Sequence, residues 1–240
     1  MNNLNQATNG VLWDMDGVLV DTGEMHFQAW MQAFTEFGIP FSKELFLDTF
    51  GMNNFSILSS MLGHPPEPDY FDKVCDRKES LFRQVIRGQV HLLPGVRLWL
   101  ERLEKLGIHQ AVASSAPKAN IEAIVDETQI RSHFSAMVSA YDMLGKPDPA
   151  VFLEAANQLH LSPESCVVVE DSFYGVTAAH RAGMKCLAVT TTYPRKDLTE
   201  ADLIVESLED LKIEDFLGKI SSASPQARRF RGSPSQPHQG

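Results

Sequence analysis

The chain has 240 residues, of which 43% are hydrophobic, and a formal net charge of -10 at pH 7. That length and apolar content suit one domain with a substantial core, or a core that carries an insert. The negative charge argues against a nucleic-acid-binding protein, which would carry a basic face, so an anionic ligand must be held by local positive charge.

The cysteines and the N-terminal segment bear on the compartment. Cys75, Cys166 and Cys186 are widely spaced and show no metal-ligand pattern, which is typical of a reducing environment. Residues 1–10 lack the regions of a secretory signal, and no apolar run approaches the roughly 20 residues of a membrane helix. We therefore expect a cytoplasmic monomer that binds neither a membrane nor nucleic acid.

Short apolar runs recur along the chain and predict buried strands, at 10–13, 108–114, 135–140, 165–170, 185–191 and 202–207. Runs without alternation are typical of strands that are covered on both faces, as in a parallel sheet. Helices are predicted between most of them, at 95–106, 148–159 (with Asp148 as the N-cap) and 172–182. This alternation predicts a doubly wound, Rossmann-like α/β fold.

One interval departs from the alternation. Helical patterns at 24–37, 53–62 and 68–87 occupy the stretch between the first two strands, which is far longer than a crossover needs. We therefore predict an inserted helical cap over 23–90 and a discontinuous core over 1–22 and 91–220. The last segment, 221–240, is rich in Ser, Pro, Gln and Arg and is expected to be a disordered tail.

Polar side chains follow four of the predicted strands: Asp14 and Asp16, Ser114 and Ser115, Lys146, and Glu170 with Asp171. Each alone is compatible with a helix cap or a turn. In a parallel sheet, however, these strand ends share one edge, so the four sets are expected to converge on one crevice.

The residue types in this crevice fit one chemistry. Clustered carboxylates with few His or Cys candidates suit Mg²⁺. The ion and Lys146 would offset the charge of a phosphate, and Ser114, Ser115 and backbone N–H groups would hold its oxygens. One aspartate can then attack phosphorus while the other moves protons.

The motifs DMDGVLVDT, the strand-end serine, KPDP and EDS resemble the four motifs of the haloacid dehalogenase superfamily. The resemblance covers residues 10 to about 215, and the insert resembles the helical cap of the subgroup that includes β-phosphoglucomutase and many small phosphatases. It implies that Asp14 is the nucleophile and Asp16 the general acid/base. Dehalogenases lack the second aspartate, so its presence indicates phosphoryl transfer.

The same resemblance implies a metal site and a phosphate site. Mg²⁺ would be bound by the Asp14 carboxylate, the Asp16 backbone carbonyl and Asp171, with Glu170 as a further ligand or beside one. Ser114 and Lys146 would grip the phosphoryl group.

The cap residues bear on the substrate. DTGEMHFQAW, which holds Thr22 and His26, is close to the mutase segment, and His26 either contacts substrate or Asp16, or simply packs. In the mutase, a lysine before a glycine and an arginine three residues after it grip the distal phosphate; here Phe50 precedes Gly51, and Asn54 replaces the arginine.

Lys78 either matches a second cap lysine or is a solvated surface charge. The absence of both cations from the cap loop favours an Mg²⁺-dependent phosphatase of a small phosphorylated metabolite, such as a sugar phosphate. The alternative is β-phosphoglucomutase.

Overall fold

The computed structural model describes residues 8–41, 44 and 53–222, the last five of these in backbone only. A six-stranded, all-parallel sheet forms its centre, in the order β3-β2-β1-β4-β5-β6. The strands are β1 (Gly10–Trp13), β2 (His109–Ser114), β3 (Ala136–Ser139), β4 (Cys166–Glu170), β5 (Lys185–Val189) and β6 (Leu203–Val205). The predicted doubly wound α/β core is confirmed.

Helices connect the strands and cover the sheet. Between β1 and β2 lie α1 (Gly23–Phe37), α2 (Asn54–Leu62) and α3 (Pro68–Val85), followed by α4 (Val96–Lys105). The later helices are α5 (Lys118–Glu127), α6 (Ala150–Gln158), α7 (Phe173–Arg181) and α8 (Ile213–Ser222). No helix among the described residues combines the length and the apolar character that crossing a membrane requires.

The sheet separates two apolar cores because successive strand side chains point to opposite faces. Along β1, Val11 and Trp13 belong to one core, whereas Leu12 belongs to the other. All four residues of β1 are buried, which explains its unalternating apolar sequence.

The helices α1, α2 and α3, which we call the insert, have a small core of their own built around Trp30, Phe34 and Leu58. The chain segments that enter and leave the insert run side by side: Val20 pairs with Leu92, and the Leu93 N–H donates to the Leu19 carbonyl at 2.9 Å. The chain therefore enters and leaves the insert at the same place, next to the end of β1.

Most helix boundaries lie within one or two residues of the sequence prediction, but not every helix was predicted. α6 begins at Ala150 with Pro149 as its N-cap, one residue later than predicted; the Asp148 carboxylate still accepts a hydrogen bond from the Ala150 N–H at 3.0 Å. α8 was not predicted; it packs Phe216 against Trp99, with ring centroids 5.0 Å apart. The first two residues of the predicted tail lie in α8, and 223–240 lie outside the described residues.

Candidate active site

The carboxyl ends of β1, β2 and β4 place candidate residues at one edge of the sheet. Asp14 follows β1 directly, Ser114 ends β2, and Glu170 ends β4 with Asp171 next in sequence. Because all strands are parallel, these side chains share the edge where open α/β sheets bind ligands.

Lys146 joins the carboxylates at this edge. Its Nζ donates to Asp14 Oδ1 and to Glu170 Oε1, both at 2.5 Å. The Lys146 and Asp14 side chains are about one-tenth exposed and the Glu170 side chain is 1% exposed. The Lys146 ammonium therefore neutralises part of the negative charge of this buried cluster. It also lies close enough to contact a molecule bound at Asp14.

The second oxygen of Glu170 organises the start of α7. Glu170 Oε2 accepts hydrogen bonds from the Asp171 N–H at 2.8 Å, the Ser172 N–H at 2.7 Å and the Ser172 hydroxyl at 2.9 Å. Ser172 is the N-cap, since its Oγ accepts from the Gly175 N–H at 3.0 Å. A side chain at 175 would have to displace the Glu170 carboxyl group, because a Cβ there would lie 1.8 Å from Glu170 Cδ.

Asp14, Glu170 and Asp171 each offer an oxygen within 4.8 Å of the others. Burial raises the pKa of Asp14 to about 7 and that of Asp171 to about 9, and the charge of Glu170 adds to both shifts. Burial also acts on Glu170, but the Lys146 charge and the hydrogen bonds outweigh it and lower its pKa. A buried set of carboxylate oxygens with excess negative charge fits a hard dication such as Mg²⁺.

Asp16 lies outside this cluster and faces the insert. The Thr22 hydroxyl donates a short hydrogen bond to Asp16 Oδ1, and His26 Nε2 lies 3.7 Å from the same oxygen. Burial acts to raise the pKa of Asp16, but the His26 and Thr22 side chains outweigh it, so the pKa is lowered. The two aspartates of the motif thus stand in different environments, as two different chemical roles require.

The structure shows the surroundings of His26 and Lys78. Lys78 is 2% exposed, so it is not a solvated surface charge. Its Nζ lies 3.1 Å from His26 Nδ1, and the His26 ring stacks on Phe82 with centroids 4.1 Å apart. His26 therefore packs on Phe82 and also lies beside Asp16.

The remaining predicted residues are not all brought to the cluster. Ser114 is 1% exposed and its Oγ accepts from the Ala116 N–H at 3.1 Å, whereas Ser115 is exposed at the same strand end. Asn54 Nδ2 donates to Glu79 Oε1 at 2.8 Å, within the insert. Gly51 and Phe50 lie outside the described residues.

Sequence reasoning missed Thr192, Glu79 and Asn120. The Thr192 side chain acts to lower the pKa of Asp171, against the effect of burial. Glu79 and Asn120 are 5% and 0% exposed and are joined by a hydrogen bond of 2.6 Å from Asn120 Nδ2 to Glu79 Oε2. The only signal in the sequence was the acidic residue directly after Lys78, which a solvated helix face explains equally well.

Comparisons with known proteins support this geometry. A sequence profile of the haloacid dehalogenase-like hydrolase family matches residues 11–189. The chain belongs to this family. The predicted superfamily is therefore confirmed, and so is the enzyme class, phosphoryl transfer of the haloacid dehalogenase type.

Two curated relatives are equally similar in sequence. The chloroplastic 5-amino-6-(5-phospho-D-ribitylamino)uracil phosphatase of Arabidopsis thaliana is 32% identical over 210 residues, which are 86% of this chain and 56% of that protein. The chain thus spans little more than half of that relative. The beta-phosphoglucomutase of Bacillus subtilis (strain 168) is 32% identical over 212 residues, 85% of this chain and 92% of the mutase.

A solved structure supports the fold independently. The HAD hydrolase of family IA, variant 3, from Entamoeba histolytica superposes with a TM-score of 0.81 and 23% identity, over 89% of this chain and 100% of that one. At this identity the likeness concerns the architecture of the chain alone.

Proposed function

We propose that this protein is an Mg²⁺-dependent phosphatase of a small phosphorylated metabolite, a sugar phosphate being the preferred class, and that it works in the cytoplasm. The observation that carries the proposal is the buried set of Asp14, Glu170 and Asp171 around Lys146, with Asp16 held apart by Thr22 and His26. Similarity to a phosphatase that acts on a phosphorylated ribityl compound supports it.

In the proposed reaction, the Asp14 carboxylate attacks phosphorus and the bond from phosphorus to the leaving oxygen breaks. Asp16 gives the leaving oxygen its proton. A water molecule then attacks the aspartyl phosphate, Asp16 takes the proton of that water, and inorganic phosphate leaves with Asp14 regenerated. Lys146, fixed between Asp14 and Glu170, offsets charge on the phosphoryl oxygens.

The residues that would hold Mg²⁺ are Asp14, Asp171 and the Asp16 backbone carbonyl, with Glu170 beside them. When bound, the ion would offset the negative charge of the substrate and its transition state. Ser114 and Ser115 are the proposed hydroxyl donors to the phosphoryl group, and Thr22 is the proposed orienting partner of Asp16.

The second candidate function is that of a β-phosphoglucomutase, which a relative of equal identity supports. Asn54 weighs against it. A mutase must hold the distal phosphate of a bisphosphate, and the amide of Asn54 donates to the Glu79 carboxylate, which would repel such a group. This favours hydrolysis of a substrate with one phosphate.

The test supplies the protein with Mg²⁺, β-glucose 1-phosphate and a trace of glucose 1,6-bisphosphate, and follows free phosphate and glucose 6-phosphate together. Asp14→Asn is the blank, because an amide is a poor nucleophile. Free phosphate without the isomer supports the phosphatase. Formation of glucose 6-phosphate without free phosphate supports the mutase and contradicts the argument from Asn54.

If neither product forms, this sugar phosphate is excluded as a substrate. A panel of other phosphomonoesters then tests the phosphatase, again with release of free phosphate as the readout. Failure of every member with Mg²⁺ present would overturn the proposal.

A further inference from the structure

A buried polar contact joins the insert to the core beside the candidate active site. Glu79 on α3 accepts hydrogen bonds at Oε1 from Lys78 Nζ at 2.9 Å and Asn54 Nδ2 at 2.8 Å, and at Oε2 from Asn120 Nδ2 at 2.6 Å. Lys78 and Asn54 belong to the insert, whereas Asn120 belongs to the first turn of α5 in the core. One carboxylate thus links two helices of the insert to the core.

Asn120 is fully engaged in this contact. It is 0% exposed, its amide donates to Glu79, and its Oδ1 accepts from Arg83 Nη1 at 2.8 Å. Glu79 and Arg83 are one helical turn apart on α3, so a single core amide binds both. α5 follows β2 and Ser114, and its start is therefore adjacent to a proposed phosphate-binding residue.

A second core segment meets the same group. Burial raises the pKa of Tyr141, which follows β3 and precedes Lys146 in sequence, and the charge of Glu79 adds to this shift. The segments after β2 and β3, which both carry proposed phosphate-binding groups, therefore lie near Glu79.

The burial of this charge needs a reason beyond stability. An ion pair buried between two packed elements is often no more stabilising than well-packed apolar side chains, whereas loss of one partner is strongly destabilising. The contact between Glu79 and Asn120 exists only while the insert lies against the segment after β2. Separation of the two would leave the carboxylate without its core donor.

We propose that Glu79 is a positioning residue whose hydrogen bond with Asn120 of the core holds the insert closed over the candidate active site. We call this hydrogen bond the latch. Its role in turnover rests on the proposed phosphatase function. Glu79 also binds Lys78, which contacts His26. Contact between the insert and the core at Glu79 therefore fixes the position of His26, which faces Asp16. The latch sets the fraction of molecules in which the insert is closed.

The test exchanges the hydrogen-bond donor and the hydrogen-bond acceptor between positions 79 and 120. In Glu79→Gln, the amide oxygen still accepts from Lys78 and Asn54, but an NH₂ group faces the NH₂ of Asn120. In Asn120→Asp, two carboxylates face each other. The double variant restores one donor and one acceptor, and Arg83 can still donate to residue 120.

The first readout is hydrogen–deuterium exchange of the amides of α3, which requires no substrate. Each single variant is expected to speed exchange in α3 at least tenfold, since a hydrogen bond to a charged group is lost, while β1 and β4 remain better protected than α3. The double variant should return towards the wild-type rate. Unchanged exchange in α3, or no recovery in the double variant, would overturn the latch.

The second readout is the hydrolysis of p-nitrophenyl phosphate. A smaller closed fraction raises KM about tenfold in each single variant and leaves kcat within about twofold, and the double variant recovers. A fall of kcat with unchanged KM would contradict the latch. If wild-type protein hydrolyses no phosphomonoester, the proposed function fails, and the exchange data still decide the latch.

The matched control is Asn157→Asp. Asn157 is exposed on α6, and its Nδ2 lies 3.4 Å from Glu154 Oε2, so the substitution also places a carboxylate beside a glutamate. Because this pair is exposed and remote from the latch, neither exchange in α3 nor KM should change. A change equal to that in Asn120→Asp would show that the effect is one of general charge.

Discussion

The environment of Asp16 favours its ionised form, which is the form that takes the proton of water in the second step of the proposed reaction; that step regenerates the protonated form that the first step requires. Burial opposes ionisation, but the His26 and Thr22 side chains outweigh it and lower the pKa of Asp16. Replacement by Asn keeps the shape and removes proton transfer. We expect Asp16→Asn to lower turnover about 10²- to 10⁴-fold.

The same substitution separates the roles of the two aspartates. The proposed metal contact of Asp16 is its backbone carbonyl, so Asp16→Asn should leave Mg²⁺ affinity nearly unchanged in calorimetry. Asp171→Asn, which removes a carboxylate oxygen of the cluster, is the comparison and should weaken binding. Equal loss of Mg²⁺ affinity in both variants would contradict the assignment of Asp16.

Glu79 links the insert to the pH dependence of stability. Burial acts to raise the pKa of Glu79, but the charge and hydrogen bond of Lys78, together with the hydrogen bond from Asn54, outweigh it and the pKa is lowered. A carboxyl whose pKa is lower in the folded state stabilises the fold above its unfolded pKa of about 4.3, and this contribution is lost as pH falls through the folded pKa.

We therefore expect the free energy of unfolding of wild-type protein to fall as pH is lowered from about 5 to about 3, and Glu79→Gln to lose less over that range. At neutral pH the variant should be about 3 kcal/mol less stable, because the buried Lys78 loses its counter-charge. Denaturant titrations measure both effects, with the exposed Glu209→Gln as control. Parallel pH curves for Glu79→Gln and wild type would refute this role of Glu79.

At the residue scale, the carboxylate cluster could be predicted from the sequence, whereas the contacts of Glu79 could not. Asp14, Lys146, Glu170 and Asp171 follow predicted parallel strands, so topology alone brings them together. Glu79 meets Asn54 and Asn120 across 25 and 41 residues of sequence, through packing of the insert that no local pattern specifies.

Among the elements, α7 is coupled most tightly to the cluster. Its first turn passes so close to Glu170 that a Cβ at 175 would overlap the carboxyl group. Gly175→Ala is expected to displace Glu170, to destabilise the fold by about 3 kcal/mol and to lower activity. Thermal unfolding and phosphate release test this.

Gly145→Ala is the matched control, since a Cβ there would meet nothing within 4 Å and its φ lies outside the positive range. It should leave the unfolding temperature unchanged. An unfolding temperature of Gly175→Ala equal to that of wild type would show that the start of α7 adapts without strain.

The elements differ in how far their sequences reveal them. β1 and β4 are wholly buried, so their unbroken apolar runs identify them directly. α8 escaped prediction because its sequence, IEDFLGKISS, follows the last strand closely, and its contact of Phe216 with Trp99 depends on a tertiary surface. The start of α6 shifted by one residue because Pro149 takes the N-cap position.

At the scale of the whole molecule, binding of a dication should increase the free energy of unfolding. Mg²⁺ that binds the folded chain alone stabilises it by about 2.7 kcal/mol at a concentration of one hundred times Kd. We expect Mg²⁺ to raise the unfolding temperature of wild-type protein and EDTA to reverse the rise. Asp171→Asn should remove most of the shift, and an undiminished shift in that variant would place the ion elsewhere.

The net charge of -10 sets the background for anionic substrates, which the molecule as a whole repels. Lys146 and the proposed dication supply the local attraction. The composition indicates that an anionic substrate needs such local attraction, and the strand ends are where we propose that it is supplied. We propose that the insert determines the substrate class; its Asn54 hydrogen-bonds Glu79.

The most direct test of the account is to trap the phosphorylated enzyme. Acetyl phosphate has a good leaving group, so Asp16→Asn should accept its phosphoryl group with Mg²⁺ present. Hydrolysis of the aspartyl phosphate should then stop, because this variant has no general base to take the proton of water. Reduction with borohydride and peptide mass spectrometry should find homoserine at position 14, and none in Asp14→Asn. Modification at another residue, or none in Asp16→Asn, would contradict Asp14 as the nucleophile.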